Sequence, residues 1–221
     1  MGFFGFGHRR ATHDNFSSDM PSAPSVNTGS SEGAPTVLNL HKNEILNLSK
    51  TNPGLVKVHI GAGWDIKWGA GNYDLDLCAC LIDEQGKRLP TDCCVYYGNM
   101  KEPGIYLDGD NLTGEGDGDD ENIYITLDEL DPRVAKIVLA VVIYNARKRN
   151  QTLDKVKNAY VRLCDAKNND LELCRYNLSA DGGWFEGVVF AELYKTNGEW
   201  EFKAIGEPFN GSIDTFIDKY K

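Results

Sequence analysis

The most restrictive feature of the sequence is an alternation of short apolar runs with turn residues, which begins at Thr36 and continues to the C-terminus. In Asn72–Ile82, apolar residues alternate strictly with Asp or Cys, as expected of a strand whose two faces differ. Lys136–Tyr144 is almost wholly apolar, which is typical of a central strand covered on both faces. The chain is therefore predicted to be mainly β.

Other apolar runs of strand length are separated by turn residues along the chain. The predicted strands are Val37–Leu40, Ile45–Leu48, Val56–Ala62, Asn72–Ile82, Cys93–Tyr97, Ile123–Leu127, Lys136–Tyr144, Asn158–Cys164, Glu172–Leu178, Phe185–Lys195 and Glu199–Ile205. Asn197-Gly198 joins the last two runs and is a strong hairpin signal. Ser212–Tyr220 has helical spacing behind a serine N-cap. Together these elements favour a two-sheet β-sandwich with short helical turns, one of them near residues 153–157, and a C-terminal helix.

The N-terminal region differs in composition from the rest of the chain. Residues 14–36 are rich in Ser, Asn, Gly, Pro and Ala and poor in aliphatic residues. Such a segment cannot bury enough apolar surface to offset the entropy lost on ordering. We predict a flexible tail over residues 1–35 and one β-sandwich domain over residues 36–221. The chain has no run of 18 apolar residues and its start does not have the order of a signal peptide, so we expect a cytoplasmic protein.

The charge balance bears on the class of ligand. The net charge is -10, and the densest basic stretch is the short segment Arg147–Arg149. Nucleic-acid binding rests on lysines and arginines that neutralise phosphates. The composition therefore argues against DNA or RNA as a partner and favours divalent cations.

The segment Asp108–Glu121 is the most informative for function. Seven of its fourteen residues are acidic, four are glycine and none is basic. Carboxylates packed this closely repel one another unless a cation lies between them. Calcium takes six to eight oxygens in flexible geometry, and glycines let a loop turn its carbonyls inward. The spacing from Asp117 does not match an EF-hand, because Asn122 stands where that loop needs glycine. A solvated acidic loop without a specific ion remains the alternative.

Three further carboxylates precede the loop. Asp74 and Asp76 are two residues apart on a predicted strand, so both side chains leave the same face. That face continues as Cys78 and Cys80, residue types that usually prefer burial. Asp65 lies in a glycine-rich segment just before this strand. The alternative interpretation is ordinary polar residues on a solvent-facing surface.

The six cysteines do not form a recognisable metal motif. No pair has C-x-x-C spacing, and Cys78-x-Cys80 and Cys93-Cys94 fit zinc-ligand spacings poorly. We expect reduced thiols that are buried as small apolar groups.

Several ordered motifs resemble TerD-type proteins. The motifs are Gly61-Ala62-Gly63-Trp64-Asp65, Tyr73-Asp74-Leu75-Asp76-Leu77, the acidic segment from Gly109 to Glu121, Lys157-Asn158-Ala159-Tyr160-Val161-Arg162-Leu163 and Phe190-Ala191-Glu192-Leu193-Tyr194. The resemblance covers about residues 37–221. It implies a calcium-binding β-sandwich with a role in tellurite resistance and general chemical stress. It implies no established enzymatic activity.

The resemblance also implies paired calcium sites, that is, two ions. The ligands carried over by matching position are Asp65, Asp74, Asp76, Asp110, Asn111, Asp117, Gly118, Asp119, Asp120 and Glu121, with Glu192 as a weaker candidate. One departure concerns the segment after the central strand. The family often has carboxylates there, whereas this chain has Tyr144-Asn145-Ala146-Arg147-Lys148-Arg149, so the resemblance supplies no ligand from that segment.

The functional hypothesis is a calcium-binding stress-response module that acts by binding protein partners and not by catalysis. One alternative is a metal-dependent hydrolase that uses the clustered carboxylates to activate water. Another is a module whose bound calcium bridges to an anionic membrane surface. A smaller hypothesis is direct reaction of tellurite with Cys78, Cys80, Cys93 and Cys94, which burial would prevent.

Overall fold

Two β-sheets account for most of the secondary structure. The computed structural model describes residues 37–66, 71–89, 93–114, 118–178 and 183–221. The strands are β1 (Leu38–Asn39), β2 (Ile45–Asn47), β3 (Lys57–Ile66), β4 (Leu75–Ile82), β5 (Cys94–Val95), β6 (Lys101–Glu102), β7 (Ile105–Leu107), β8 (Glu121–Thr126), β9 (Lys136–Ile143), β10 (Val156–Asp165), β11 (Leu171–Asn177), β12 (Gly187–Thr196) and β13 (Glu199–Phe209). The helices are α1 (Leu48–Thr51), α2 (Ala146–Arg149) and α3 (Ile213–Asp218), with a 3-10 turn at Leu153–Lys155. The predicted tail over residues 1–35 lies outside the described residues.

Each sheet is assembled from strands that are distant in the sequence. One has seven strands in the order β1-β11-β10-β3-β8-β7-β6, and the other has six in the order β2-β13-β12-β9-β4-β5. Among the described strands the pairing is antiparallel, except for β1 beside β11. The mainly β, two-sheet prediction is confirmed.

The strand β4 is buried on both faces, for two different reasons. Its apolar face, which includes Leu75 and Leu77, belongs to the main core. Its other face carries Cys78 and Cys80, which pack with Phe216 of α3 in a second cluster. Phe216 is fully buried, and removing a side chain of this size from water contributes roughly 1.5–3 kcal/mol. The predicted C-terminal helix therefore covers the outer face of the six-stranded sheet.

Four short elements were not predicted. The strands β6 and β7 and the helices α1 and α2 each contain two to four residues, which is too few for a periodic pattern to show. Among the described residues, no helix has the length and apolar character needed to cross a membrane.

The expectation that all cysteines are reduced is wrong for one pair. Cys80 and Cys94 form a disulfide. They are register partners on β4 and β5, so sheet pairing brings them together, and their spacing in the sequence does not signal this. Cys78, Cys164 and Cys174 are free and buried, as expected, and Cys93 is partly buried.

Candidate cation site

The candidate site lies at an open edge of β4. The short strand β5 pairs with β4 at Ala79 and Cys80, and among the described residues no strand pairs with the first half of β4 on that side. The backbone N–H of Leu77 donates instead to Oε2 of Glu121, at 2.6 Å. Glu121 is the first residue of β8 in the other sheet. An unpaired strand N–H needs an acceptor, and this carboxylate both supplies one and links the two sheets.

Three more carboxylates converge beside this edge. Asp74, Asp76 and Asp110 each offer one oxygen, and the three oxygens all lie within 4.8 Å of one another. Asp74 and Asp76 leave the same face of β4, as their spacing predicts, and both are only 3% exposed. Oxygens bound to one calcium ion at 2.3–2.6 Å lie at most about 5 Å apart, so this arrangement fits the ion.

The charged neighbours of these carboxylates are mainly one another, and the charged forms of the buried ones are disfavoured. Burial raises the pKa of Asp76 to about 8, and the neighbouring Asp74 and Asp110 add to the shift. Burial also raises the pKa of Glu121 to about 9, although the Leu77 N–H favours the charged form. Within the described residues, the buried oxygens Asp74 Oδ1 and Glu121 Oε1 have no hydrogen-bond partner. A hard cation would satisfy these oxygens and remove the repulsion among the charges.

A cavity of about 580 Å³ lies over the three aspartates and is also lined by Tyr97, Tyr144 and Arg149. Arg149 Nη2 is 3.7 Å from Asp74 Oδ2, and the guanidinium lies over the Tyr144 ring. This contact partly offsets the burial effect on the pKa of Asp74, which is raised overall. Sequence reasoning did not place Arg149 at the site, because only the position of α2 brings it there.

Two predicted ligands shape the acidic loop. Asn111 Oδ1 accepts hydrogen bonds from the backbone N–H groups of Thr113 and Gly114, and its Nδ2 donates to Asp120 Oδ1. The other oxygen of Asp120 accepts from the backbone N–H of Trp64, at 2.9 Å. Burial raises the pKa of Asp120, while the Trp64 N–H lowers it. These bonds hold the loop in a compact turn against β3.

The predicted ligands Asp65 and Gly118 lie with Asp120 around a second cavity, of about 640 Å³. Asp65 Oδ2 accepts from Asn158 Nδ2 at 2.7 Å, and the Gly118 carbonyl accepts from the Tyr160 hydroxyl at 2.8 Å. A second ion in this region stays a prediction. Asp117, together with residues 115–116, lies outside the described residues.

Two predicted candidates are not beside the three aspartates. Asp119 turns onto the outer face of the seven-stranded sheet, where both of its oxygens accept hydrogen bonds from Arg162. Glu192 forms an ion pair with Lys136 at 2.9 Å. Lys136 is at the start of β9, six residues from Val142, which pairs with Asp76. This separation is about 20 Å along the strand.

Comparisons with known proteins agree with this architecture. The TerD domain family matches residues 37–220. General stress protein 16U of Bacillus subtilis (strain 168) is 37% identical over 187 residues, covering 83% of this chain and 96% of that protein. The tellurium resistance protein TerD of Serratia marcescens is 36% identical over 186 residues, covering 83% and 96% respectively.

A solved structure shows the same fold. It is a homologue of telluride resistance protein (TerD), SCO6318 from Streptomyces coelicolor A3(2), and it matches with a TM-score of 0.63 at 24% identity. The match covers 74% of this chain and 96% of the other. From the extent of the sequence matches, this chain belongs to the TerD domain family, in which its relatives are named as tellurium resistance and general stress proteins.

Proposed function

We propose that this chain is a calcium-binding module of the tellurium-resistance and general-stress type, which acts by binding a protein partner and not by catalysis. The observation that carries the proposal is the group of three buried carboxylates, Asp74, Asp76 and Glu121, which lies beside the exposed carboxylate of Asp110. Buried charges in proteins are normally paired or bind metals.

The donor set favours calcium over the common alternatives. All four side chains offer carboxylate oxygens, which suit hard cations, and the described residues of the site include no histidine or free cysteine. Calcium accepts irregular sets of six to eight oxygens, whereas magnesium needs near-ideal octahedral geometry and keeps more of its waters. The irregular mixture of strand and loop donors is therefore better suited to calcium.

The space above the carboxylates supports a binding role. The cavity of about 580 Å³ is much larger than an ion, and its walls include exposed Leu112 and half-exposed Tyr97. Apolar and aromatic groups beside an ion site can contact a protein partner. Calcium bound to Asp110 would fix the position of this carboxylate beside Leu112, and so couple ion binding to partner binding.

The proposal is tested by calcium titration with the melting temperature as readout. At a hundredfold excess over Kd, a ligand that binds only the folded state stabilises it by about 2.7 kcal/mol, or roughly 5–11 °C for a domain of this size. We expect this shift in the wild type and its loss in Asp74→Asn/Asp76→Asn, while Asp128→Asn, at an exposed acidic position, keeps it. No calcium-dependent shift in the wild type would refute the proposal.

A calcium titration followed by calorimetry measures the number of ions bound per chain, which is predicted to be two.

The partner role is tested by comparing the proteins that bind the wild type in the presence of calcium with those that bind it in the absence of calcium. A partner that binds equally well to Asp74→Asn/Asp76→Asn would contradict coupling between the ion and the partner.

A further inference from the structure

The end of the acidic loop packs directly against two glycines of β3. A Cβ atom on Gly61 would overlap the Asp119 carboxylate, and one on Gly63 would lie 2.7 Å from the Gly118 carbonyl oxygen. Glycine inside a strand weakens it and often marks a place where another backbone comes close. At these two positions, the absence of side chains lets the loop lie directly on the sheet.

Arg162 holds the loop against these glycines by binding Asp119. It is the register partner of Gly61 on the adjacent strand β10. Its Nε lies 2.9 Å from both oxygens of Asp119, and its Nη2 lies 2.8 Å from Oδ2. The Tyr160 hydroxyl lies 2.9 Å from Asp119 Oδ1 and 2.8 Å from the Gly118 carbonyl oxygen. An arginine that contacts both oxygens of a carboxylate constrains its direction as well as its charge.

Arg162 is itself held in place. Its Nη1 lies 3.4 Å from Glu172 Oε2, and Arg175 binds both oxygens of the same glutamate. The Asp119 side chain is only 4% exposed. Asp119 therefore has Arg162 and Tyr160 as partners, and His59 Nε2 lies 3.6 Å from its Oδ2, in contrast to the carboxylates at the open edge of β4.

We infer that Arg162 is a positioning residue for the proposed calcium site, and that Asp119 is the loop anchor through which it acts and not an ion ligand. The anchor precedes Asp120 and Glu121, so it sets the point from which Glu121 reaches across to Leu77. A loop that is already ordered loses less entropy when it binds an ion. This inference rests on the proposed calcium function.

Calcium affinity distinguishes an anchor from a ligand, because the two roles predict opposite signs. If Asp119 binds the ion, Arg162→Gln frees its oxygens and calcium binds more tightly. If Asp119 is an anchor, Arg162→Gln releases the loop and weakens calcium binding by about tenfold, since ordering now opposes binding. We expect the weakening, measured by calorimetry. Unchanged or tighter binding would overturn the inference.

Matched variants separate positioning from general destabilisation. Arg133→Gln removes an exposed arginine that contacts both oxygens of Asp131 and lines neither cavity of the site, so it should leave the calcium Kd unchanged. Arg162→Lys keeps the charge but not the contact with both oxygens, and it should recover part of the lost affinity. Equal weakening by Arg162→Gln and Arg133→Gln would show a general effect of losing an arginine and contradict a specific anchor.

A second readout does not depend on calcium. In EDTA, we expect faster hydrogen exchange at the amides of residues 118–121 in Arg162→Gln and in Gly61→Ala, but not in Arg133→Gln. If the wild type fails to bind calcium, the proposed function fails, while this exchange experiment still decides the anchor. Unchanged exchange in both Arg162→Gln and Gly61→Ala would overturn it.

Discussion

Asp119 and Glu121 are two residues apart in one acidic segment, yet the protein treats their charges in opposite ways. Asp119 lies on the outer face of the seven-stranded sheet and accepts hydrogen bonds from Arg162 and Tyr160. Glu121 points toward the edge of β4, where its neighbours are the carboxylates of Asp76 and Asp110, and its pKa is raised to about 9. Both side chains are buried.

This difference shows that a cluster of acidic residues is not one chemical unit. A buried carboxylate with a cationic partner contributes to the structure without any ion. A buried carboxylate whose charged neighbours are mainly other carboxylates destabilises the metal-free fold and favours a bound cation. Asp119 is therefore a carboxylate of the first kind, with an anchoring role. Glu121 is of the second kind and belongs to the proposed calcium site.

The largest expected effect is on the free energy of unfolding, measured in EDTA at pH 8, when one carboxylate of each kind is replaced by asparagine. Asp119→Asn breaks a buried ion pair and should lower the free energy of unfolding by about 3 kcal/mol. Asp76→Asn removes an unneutralised charge and should leave the free energy of unfolding unchanged or raise it. Denaturant unfolding measures both. Similar losses in the two variants would mean that the two carboxylates are not different in kind.

Glu121→Gln should weaken calcium binding by about tenfold or more, equivalent to about 1.4 kcal/mol, because one charged donor is lost. The amide oxygen can still accept from the Leu77 N–H, so the metal-free melting temperature should not fall. Calorimetry measures the calcium affinity, and thermal melting in EDTA measures the stability of the metal-free protein. Glu129→Gln, at an exposed position, is the matched control and should change neither.

The raised pKa values predict a pH dependence of the metal-free protein. Because the pKa of Asp76 is about 8 and that of Glu121 about 9 in the folded state, the fold retains protons that the unfolded chain releases above about pH 4.5. Stability in EDTA should therefore fall as the pH rises from 5 to 8, by at least about 1 kcal/mol, or roughly 2–4 °C.

Some carboxylates, such as Asp131 and Glu172, have lowered pKa values in the folded state. Their contribution to the stability of the fold is lost only at more acidic pH, so they do not mask this trend. Saturating calcium should increase the melting temperature most at pH 8, where protons compete least. A metal-free melting temperature that is flat or rising over this range would contradict the assignment of unneutralised charges.

The smallest expected effect concerns Arg149, the cationic side chain beside the proposed calcium site. It is 3.7 Å from Asp74 and 38% exposed, so it supplies only a weak counter-charge. Arg149→Gln should tighten calcium binding by up to about fivefold, which corresponds to less than about 1 kcal/mol. Arg147→Gln, whose side chain is 83% exposed and near Glu186, is the matched control. Weaker calcium binding in Arg149→Gln would mean that this arginine helps to build the site.

The fold could be predicted well wherever a strand is long enough to show its period. Asn72–Ile82 and Lys136–Tyr144 contain the strands β4 and β9, and Ser212 is the N-cap of α3. The predicted hairpin at Asn197-Gly198 joins β12 to β13. The strand β6 was missed because Lys101–Glu102 contains no apolar residue, and β7 was missed because Ile105–Leu107 is too short to show an alternation.

The candidate site was only partly predictable. Asp74 and Asp76 had to share a face because a strand has a period of two, and the structure places them together. Their proximity to Asp110 and Glu121 depends on where β8 meets β4, which is a matter of strand pairing across two sheets. The Cys80–Cys94 disulfide has the same origin, since pairing of β4 with β5 brings the two residues side by side.

The sequence by itself determined the strand pattern, the density of carboxylates in the acidic segment and the shared face of Asp74 and Asp76, because these depend on composition and local backbone geometry. Only the tertiary structure decided which carboxylate meets a cation and which meets other carboxylates. The arginine that neutralises Asp119 is 43 residues away and reaches it through pairing of β3 with β10. Electrostatic environment depends on distance in space, and neighbours in the sequence can therefore have opposite roles.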